Sequence, residues 1–327
     1  MWFRYVHYGG DNVRVAERPI PVPLDSLRFD VLQVSLEDGR ILVIPDPRRY
    51  EVVEAEGEQR LFDRRSRLIY PWSVVEDMVR QASGVRPTGP SPAIDLAELV
   101  ESRRAALTKA LAAPPEPVPS IHLSDEVLAS KVGGRGGFAV ISVDTVGSTV
   151  LAARDRDAYE QLMPLLCTEI AAIAGAFGGF VANFAGDGGT CFFPPDGFCA
   201  ANDAAFDAAI AIVASHYAAF IPTTSSAGLP KIDIRVGADS GELAVRMIGS
   251  PQNDRKPDIF GLATALATRI QTLAAPGEVW LGEGMAQNVH VTRQELVDEV
   301  APPKDWPYES HDDVAYRVFR SEVIRRR

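Results

Sequence analysis

The order of elements after residue 137 is what most restricts the fold of this chain. "FAVISV" (138–143) is a short apolar run of strand type. A helical period follows from about 155 to 176, stopped by Gly178 and Gly179. "FVANFAGDGGTCFF" then reads as a hairpin turning at Gly186-Asp187-Gly188-Gly189, and a long Ala-rich helix comes next. "KIDIRVGADSGELAVRMI" reads as a second hairpin around Ser240-Gly241. After a loop comes the helix "GLATALATRIQTLA", stopped by Pro276-Gly277, and the strands "EVWLG" and "VAYRVFR". This β-α-β-β-α-β order predicts an α+β sandwich, with helices packed on one face of a mostly antiparallel sheet.

The first 83 residues read differently, as a small β-rich domain. Hairpins are expected around Glu37-Asp38-Gly39 and around Gly57, and "SVVEDMVRQA" is a short closing helix. Arginines at 48, 49, 60, 64, 65 and 67 form a basic concentration that reads as a solvated face. Residues 84–135 are a linker. Pro-rich "GVRPTGPSPA" and "APPEPVPS" flank "DLAELVESRRAALTKALA", a helix opening on Asp95 as N-cap. "GGRGG" (133–137) precedes a strand rather than following one, which excludes a dinucleotide fingerprint. The third unit spans 136–322.

Composition narrows the function classes. The net charge of −11 argues against a nucleic-acid or anionic-membrane surface, while leaving room for a phosphorylated ligand that brings its own metal. Cys167, Cys191 and Cys199 form no CxxC pair and read as buried thiols of a reducing compartment. The most apolar stretch, 199–221, is interrupted by Asn202, Asp203, Asp207 and His216, so it reads as a buried helix rather than a membrane span. "MWFRYVHYGGDN" lacks a signal-peptide core, and the expected location is cytoplasmic.

The first strand of the third unit ends on Asp144 and runs into Thr145-Val146-Gly147-Ser148-Thr149. A carboxylate there is either a helix cap or part of a metal or phosphate site. Asp187, at the hairpin tip 43 residues later, would alone be a turn aspartate. In a β-α-β-β unit the first strand lies beside the hairpin, so both carboxylates reach one sheet edge. Two carboxylates beside a turn of backbone N–H groups suit two divalent cations on a polyphosphate.

At these residues the sequence resembles the class III nucleotide cyclases, over about 136 to 321. The resemblance is carried by "VDTVGST", "NFAGDGG", "DIRVGADSGEL" and "DIFGLATALATRIQTLAAPGEVWLGEGM", four segments in order. It implies a ferredoxin-like or palm-like sandwich that converts a nucleoside triphosphate to a 3′,5′-cyclic monophosphate and pyrophosphate. Asp144 and Asp187 match the family's metal-binding aspartates, for two Mn²⁺ or Mg²⁺ per site. Gly147, Ser148 and Thr149 match the phosphate-cradling turn, and Arg235 a phosphate-contacting arginine. Arg269, eleven residues after Asp258, matches the arginine that stabilises charge on the α-phosphate. Family sites draw their metal and arginine halves from different chains, which implies a head-to-tail homodimer.

Asn183 and Asp258 fall at the base-recognising positions, where adenylate cyclases carry Lys and Asp and guanylate cyclases Glu and commonly Cys. A carboxylate at 258 disfavours GTP and suits ATP or CTP, while Asn183 can meet adenine, cytosine or uracil. The helix asparagine of the family falls at Ala265, with Thr264 and Thr268 beside it, and its histidine at Asp239; Lys304 is a loose match for a terminal phosphate lysine. The atypical base residues resemble, more loosely, the bacterial pyrimidine cyclases of anti-phage defence, whose cyclic UMP or cyclic CMP activates a separate effector. Adenylate cyclase and a degenerate dimerising or nucleotide-sensing module are the alternatives. A diguanylate cyclase would need a Gly-Gly-Asp/Glu-Glu-Phe turn, whereas Gly188-Gly189 follow Asp187.

Overall fold

A computed structural model describes residues 2–9, 12–15, 20–21, 28–37, 40–55, 57–75, 94–112, 120–194, 198–250, 255–310 and 314–321. The N-terminal part is strand-rich, as expected. Strands β1 (Trp2–Gly9), β2 (Asn12–Val15), β3 (Ile20–Pro21), β6 (Tyr50–Ala55), β7 (Glu58–Asp63) and β8 (Leu68–Pro71) form one sheet, in the order β2-β1-β8-β7-β6 with β3 on β1. β4 (Val31–Glu37) and β5 (Arg40–Pro45) form a separate hairpin that closes between Glu37 and Arg40. Gly57, at φ 77, turns β6 into β7. The helix expected over "SVVEDMVRQA" is helical at 72–75 and otherwise lies outside the described residues, as do both Pro-rich spacers over most of their length.

The larger sheet runs β10 (Phe180–Phe184), β11 (Gly188–Phe193), β9 (Arg135–Val146), β12 (Asp233–Ile248), β14 (Val279–Gly282), β16 (Val318–Ser321) and β15 (Val297–Val300), with β13 (Lys256–Phe260) on β12. Within it only β12 and β14 pair in parallel. The α+β class with a mostly antiparallel sheet is therefore observed.

Two expectations about this sheet are corrected. Ser240-Gly241 is not a turn: β12 is one continuous strand, in register with β9 from Asp233↔Val146 to Ala244↔Arg135. The neighbouring strand supplies a partner along that whole length, which outweighs the local turn propensity of a Ser-Gly pair. The helices also cover both faces, not one. Ala139, Ile141 and Val143 of β9 pack toward α4 (Arg156–Ala176) and α5 (Phe198–Ser215), while Phe138 and Val140 share a cluster with Ala263 and Ala267 of α7 (Leu262–Leu273) and Leu128 of α2 (Ser120–Ala129). A strand buried on both faces reads as a near-continuous apolar run, and 138–143 is apolar except for the buried Ser142.

Short elements escaped the periodicity reading. They are α2, α3 (Ser148–Arg154), α8 (Glu283–Asn288), α9 (Val291–Gln294), β13 and β15. β13 carries Pro257, which a strand tolerates only at an edge or bulge.

The linker helix α1 (Leu96–Ala112) is capped as expected, Asp95 accepting from Ala97 N at 2.8 Å. It lies on the main core: Leu107 is 1% exposed and Arg103 holds Glu169 of α4 with two hydrogen bonds. The Ala-rich stretch is the one described helical segment long and apolar enough to cross a membrane; two thirds of it is buried inside this structure. It passes from α5 through a π turn (His216–Phe220) into α6 (Ile221–Ser226). Pro222 has no N–H to return to Ala218, and the carbonyl of Ala218 instead accepts from Arg104 at 2.7 Å.

The arginines expected on a solvated face do not all lie there. Arg49 is 1% exposed, bonded to Asp63 and Asp30, and Arg65 and Arg67 reach Gln294 O and Glu299 of the larger unit.

Candidate functional site

Asp144 stands near the end of the central strand β9, opposite Gly188 of β11 on one side and Arg235 of β12 on the other. Alternation puts its side chain on the α7 face, because Val143 points into the opposite core. The hairpin tip is drawn against β9 by what Gly188 lacks: a Cβ there would lie 2.1 Å from Val143 O. Thr145 secures the tip, its N–H and Oγ1 donating to Asp187 O at 3.1 and 2.6 Å. Gly186, at φ 81, supplies the left-handed residue this turn requires.

β9 then turns sharply at Gly147, at φ 76, into α3. The hydroxyl of Ser148, first residue of that helix, donates to Asp187 Oδ2. Thr149 follows in the same first turn, where amides have no acceptor within the helix. The structure thus brings Asp144, Gly147, Ser148, Thr149, Asp187 and Arg235 to one end of the sheet. The expectation that both carboxylates share an edge holds.

The two carboxylates differ in their partners. Arg235 donates to Asp144 Oδ2 through Nε at 3.0 Å and Nη2 at 2.9 Å, and through Nη1 to Thr272 O at 3.3 Å. Gly237 makes that third contact possible: a Cβ there would lie 2.2 Å from Ala267 O, so its absence seats α7 on β12. Asp187 carries the Ser148 bond and no cation among the described residues.

Arg269 is exposed on α7, one turn before Thr272, whose Oγ1 donates to the carbonyl of Arg269. Asn183 is exposed on the edge strand β10, opposite Thr190 and next to a bulge. Asp258 sits on β13 opposite Arg246, its Oδ1 accepting from Ile259 N. Arg246 lies eleven residues along β12 from Arg235, a span of up to ~36 Å of strand. Asp258 is therefore not gathered with the carboxylates along the sheet of one chain. Ala265 is exposed on α7, and its neighbour Thr264 has a buried hydroxyl without a partner among the described residues.

Asp239 is in the core rather than at the edge. Its carboxylate accepts from Tyr316 OH, Ser240 N and Met285 N, and burial pushes it up to about 7 against those hydrogen bonds. A Cβ on Gly282 would meet Asp239 Cγ at 2.5 Å, so that glycine makes the room. Cys191 is likewise buried, with its thiol pushed up to about 12 by burial. Sequence reasoning missed the clamps of the site, Thr145, Gly188, Gly237 and Thr272. The Gly188-Gly189 pair carried a usable signal, since glycine permits close backbone approach as well as turning.

The donor set can be tested against a divalent cation. Asp144 Oδ1 and Asp187 Oδ1 take no hydrogen bond from the described residues and are hard oxygen donors of the kind Mg²⁺ or Mn²⁺ accepts. No group of three or more His, Cys, Asp or Glu side chains suited to a metal occurs among the described residues. Two carboxylates fit a cation that keeps waters and shares its remaining positions with phosphate oxygens.

No protein-family model matches the sequence, and no curated protein matches it. Among solved structures, the chain is similar to the guanylyl cyclase Cya2 at 18% identity, covering 59% of this chain and 95% of that one, with a TM-score of 0.48. It is similar to the guanylate cyclase domain of RhGC from Catenaria anguillulae in complex with GTP at 18% identity, covering 57% and 95%, with a TM-score of 0.46. It is also similar to the adenylyl cyclase CyaB from P. aeruginosa at 20% identity, covering 57% and 94%, with a TM-score of 0.47.

Proposed function

We propose that this chain is a nucleotide cyclase. The observation that carries the reading is the pairing of Asp144 with Asp187 at one sheet end, beside the Gly147-Ser148-Thr149 turn and Arg235. A cap or an ordinary turn aspartate explains either carboxylate alone. Neither explains a glycine-enforced contact that sets both at the entrance of a helix.

In the reaction, the ribose 3′-oxygen attacks the α-phosphorus, the bond from that phosphorus to the bridging oxygen of the β-phosphate breaks, and pyrophosphate leaves. Divalent cations on Asp144 and Asp187 would make the 3′-hydroxyl more acidic and offset phosphate charge. The turn at Gly147–Thr149 and the guanidinium of Arg235 would hold phosphate oxygens. Arg269 would donate to the α-phosphate as charge builds there, a type of contact worth ~3–4 kcal/mol.

The working unit is read as a head-to-tail homodimer, in which Asn183, Asp258 and Arg269 of one protomer complete the metal half of its partner. The separation of Asp258 from the carboxylates along one chain supports this, as do the exposed apolar side chains of Val150 on α3, of Phe260 at the end of β13 and of Leu262 at the start of α7. The substrate is read as a pyrimidine nucleotide, giving cyclic UMP or cyclic CMP for a separate effector in anti-phage defence. Adenylate cyclase is the second reading, favoured by the half-buried carboxylate of Asp258, which suits an exocyclic amine.

The test is to incubate the purified chain with Mn²⁺ and ATP, GTP, CTP and UTP separately and identify products by mass. A cyclic pyrimidine nucleotide that disappears in Asp187→Ala is expected. Cyclic AMP would overturn the base assignment alone. No product from any nucleotide in a folded dimer would favour a degenerate cyclase-fold module.

A further inference from the structure

The two carboxylates at the sheet end are held in unlike ways, and the difference predicts an order of binding. Arg235 and Asp144 are directly opposite residues of β9 and β12, so the strand register itself keeps them together. Two guanidinium nitrogens converge on a single oxygen, Oδ2, while the third nitrogen is tied to Thr272 O. Both side chains are 27% exposed, which leaves the pair reachable from solvent. Among the described residues, Asp187 has only a neutral hydroxyl on its carboxylate.

We propose that Arg235 is the resident counter-cation of Asp144 in the free protein and releases that carboxylate only to a polyphosphate, so that the cation held by Asp144 enters together with the triphosphate and not before it. The inference rests on the metal-and-triphosphate reading of the site. A divalent cation approaching Asp144 alone meets a fixed positive charge hydrogen-bonded to the same carboxylate. A triphosphate changes the balance, because its oxygens accept the planar guanidinium fork at least as well as a carboxylate does. The exchange needs no backbone movement: the stem of Arg235 rotates from Asp144 to phosphate, and Asp144 is left for the cation. Asp187, with no guanidinium to displace, binds its cation first.

The experiment measures protein-bound Mn²⁺ on the whole 327-residue chain by equilibrium dialysis, with and without inorganic tripolyphosphate. The proteins are the parent, Arg235→Met, Arg235→Lys and Asp187→Ala. Without tripolyphosphate, Arg235→Met is expected to bind Mn²⁺ on the order of tenfold more tightly than the parent, as removing a charge-assisted competitor predicts. Arg235→Lys should fall between the two, and tripolyphosphate should raise Mn²⁺ occupancy far more in the parent than in Arg235→Met. Structural damage would weaken binding, so tightening is a readout that damage cannot mimic. Equal or weaker Mn²⁺ binding by both Arg235 variants, with loss of binding in Asp187→Ala, would overturn the counter-cation role and leave the metal site standing. Absence of Mn²⁺ binding in the parent and Arg235→Met under both conditions would overturn the site reading and this inference with it.

Discussion

The molecule contains two clusters of aspartate and arginine that look alike in composition and differ in everything else. At the seam between the N-terminal sheet and the larger unit, Arg28, Asp30, Arg49, Asp63, Asp203 and Arg293 are each less than 10% exposed. Arg49 bridges Asp63 at 2.7 Å and Asp30 at 3.1 Å, Arg28 bridges Asp30 and Asp203, and Arg293 reaches Asp203. Burial raises the carboxyl of Asp30, but the guanidinium groups of Arg49 and Arg28 outweigh it and hold Asp30 below the ordinary carboxylate range. At the end of the sheet, Asp144 shares one arginine and, among the described residues, keeps one oxygen unengaged, and Asp187 has no cation among them. The first cluster is closed, with its charges paired out of water. The second is open. Saturated charge is architecture, and unsaturated charge at an exposed edge is capacity for a ligand.

The strongest way to break this contrast is to remove the hub of the closed cluster. Arg49→Met leaves Asp30 and Asp63 buried without their shared cation and is expected to cost ~3–5 kcal/mol of stability. Urea denaturation followed by circular dichroism would measure it. Adding Asp30→Asn and Asp63→Asn should recover much of the loss, because uncharged replacements remove the stranded carboxylates. A loss below about 1 kcal/mol for Arg49→Met would mean that the seam is wet and the cluster not closed.

The next largest effect is a pH dependence centred on Asp239, whose carboxyl moves from 3.8 to about 7, chiefly through burial. The unfolded chain ionises this group near pH 4, while the folded chain keeps the proton until about 7. Stability supplied by the bound proton is therefore full below pH 4 and is lost as pH rises from 4 to 7, by up to ~1.4 kcal/mol per unit. Asp239→Asn cannot titrate, so the difference between the two proteins should grow steadily across that window and level off above it. Parallel denaturation curves at all pH values would show that the three donors on Asp239 fully offset its burial.

How much of this was legible in the sequence depends on how local the cause is. The cap at Asp95 and the hairpin turn at Asp187 follow from residues adjacent in the chain, and the structure has both. The continuity of β12 past Ser240-Gly241 was not legible, since its cause is β9, a hundred residues earlier. The burial of Arg49 and of Asp239 depends on partners brought in from elsewhere: Asp63 and Asp30 for the first, Tyr316 and Met285 for the second. Types and spacing cannot distinguish an aspartate that meets Tyr316 in the core from one that faces water. The open cluster was legible because strand order alone puts Asp144 beside the hairpin tip.

Gly188→Ala tests the positioning of the open cluster without touching a charge. Its new methyl would lie 2.1 Å from Val143 O, a contact with backbone that cannot yield as a side chain can. Overpacking of this kind costs typically ~1–3 kcal/mol. The tip must lift from β9, so Mn²⁺ binding in the presence of tripolyphosphate should weaken along with stability. Unchanged Mn²⁺ affinity would mean that Asp144 and Asp187 do not act on one cation set.

Arg269→Ala should have the smallest effect on stability. Arg269 is exposed on α7, and among the described residues its side chain has no ion pair or hydrogen bond. Its removal is expected to change stability by no more than ~0.5 kcal/mol, as surface substitutions do. If the arginine donates to the α-phosphate across a dimer interface, the rate of cyclic product formation should fall by ~10²–10³ with the melting temperature unchanged. An arginine whose loss is silent in unfolding and severe in turnover belongs to the open class. Loss of stability without loss of turnover would move Arg269 to the closed one and remove it from the site.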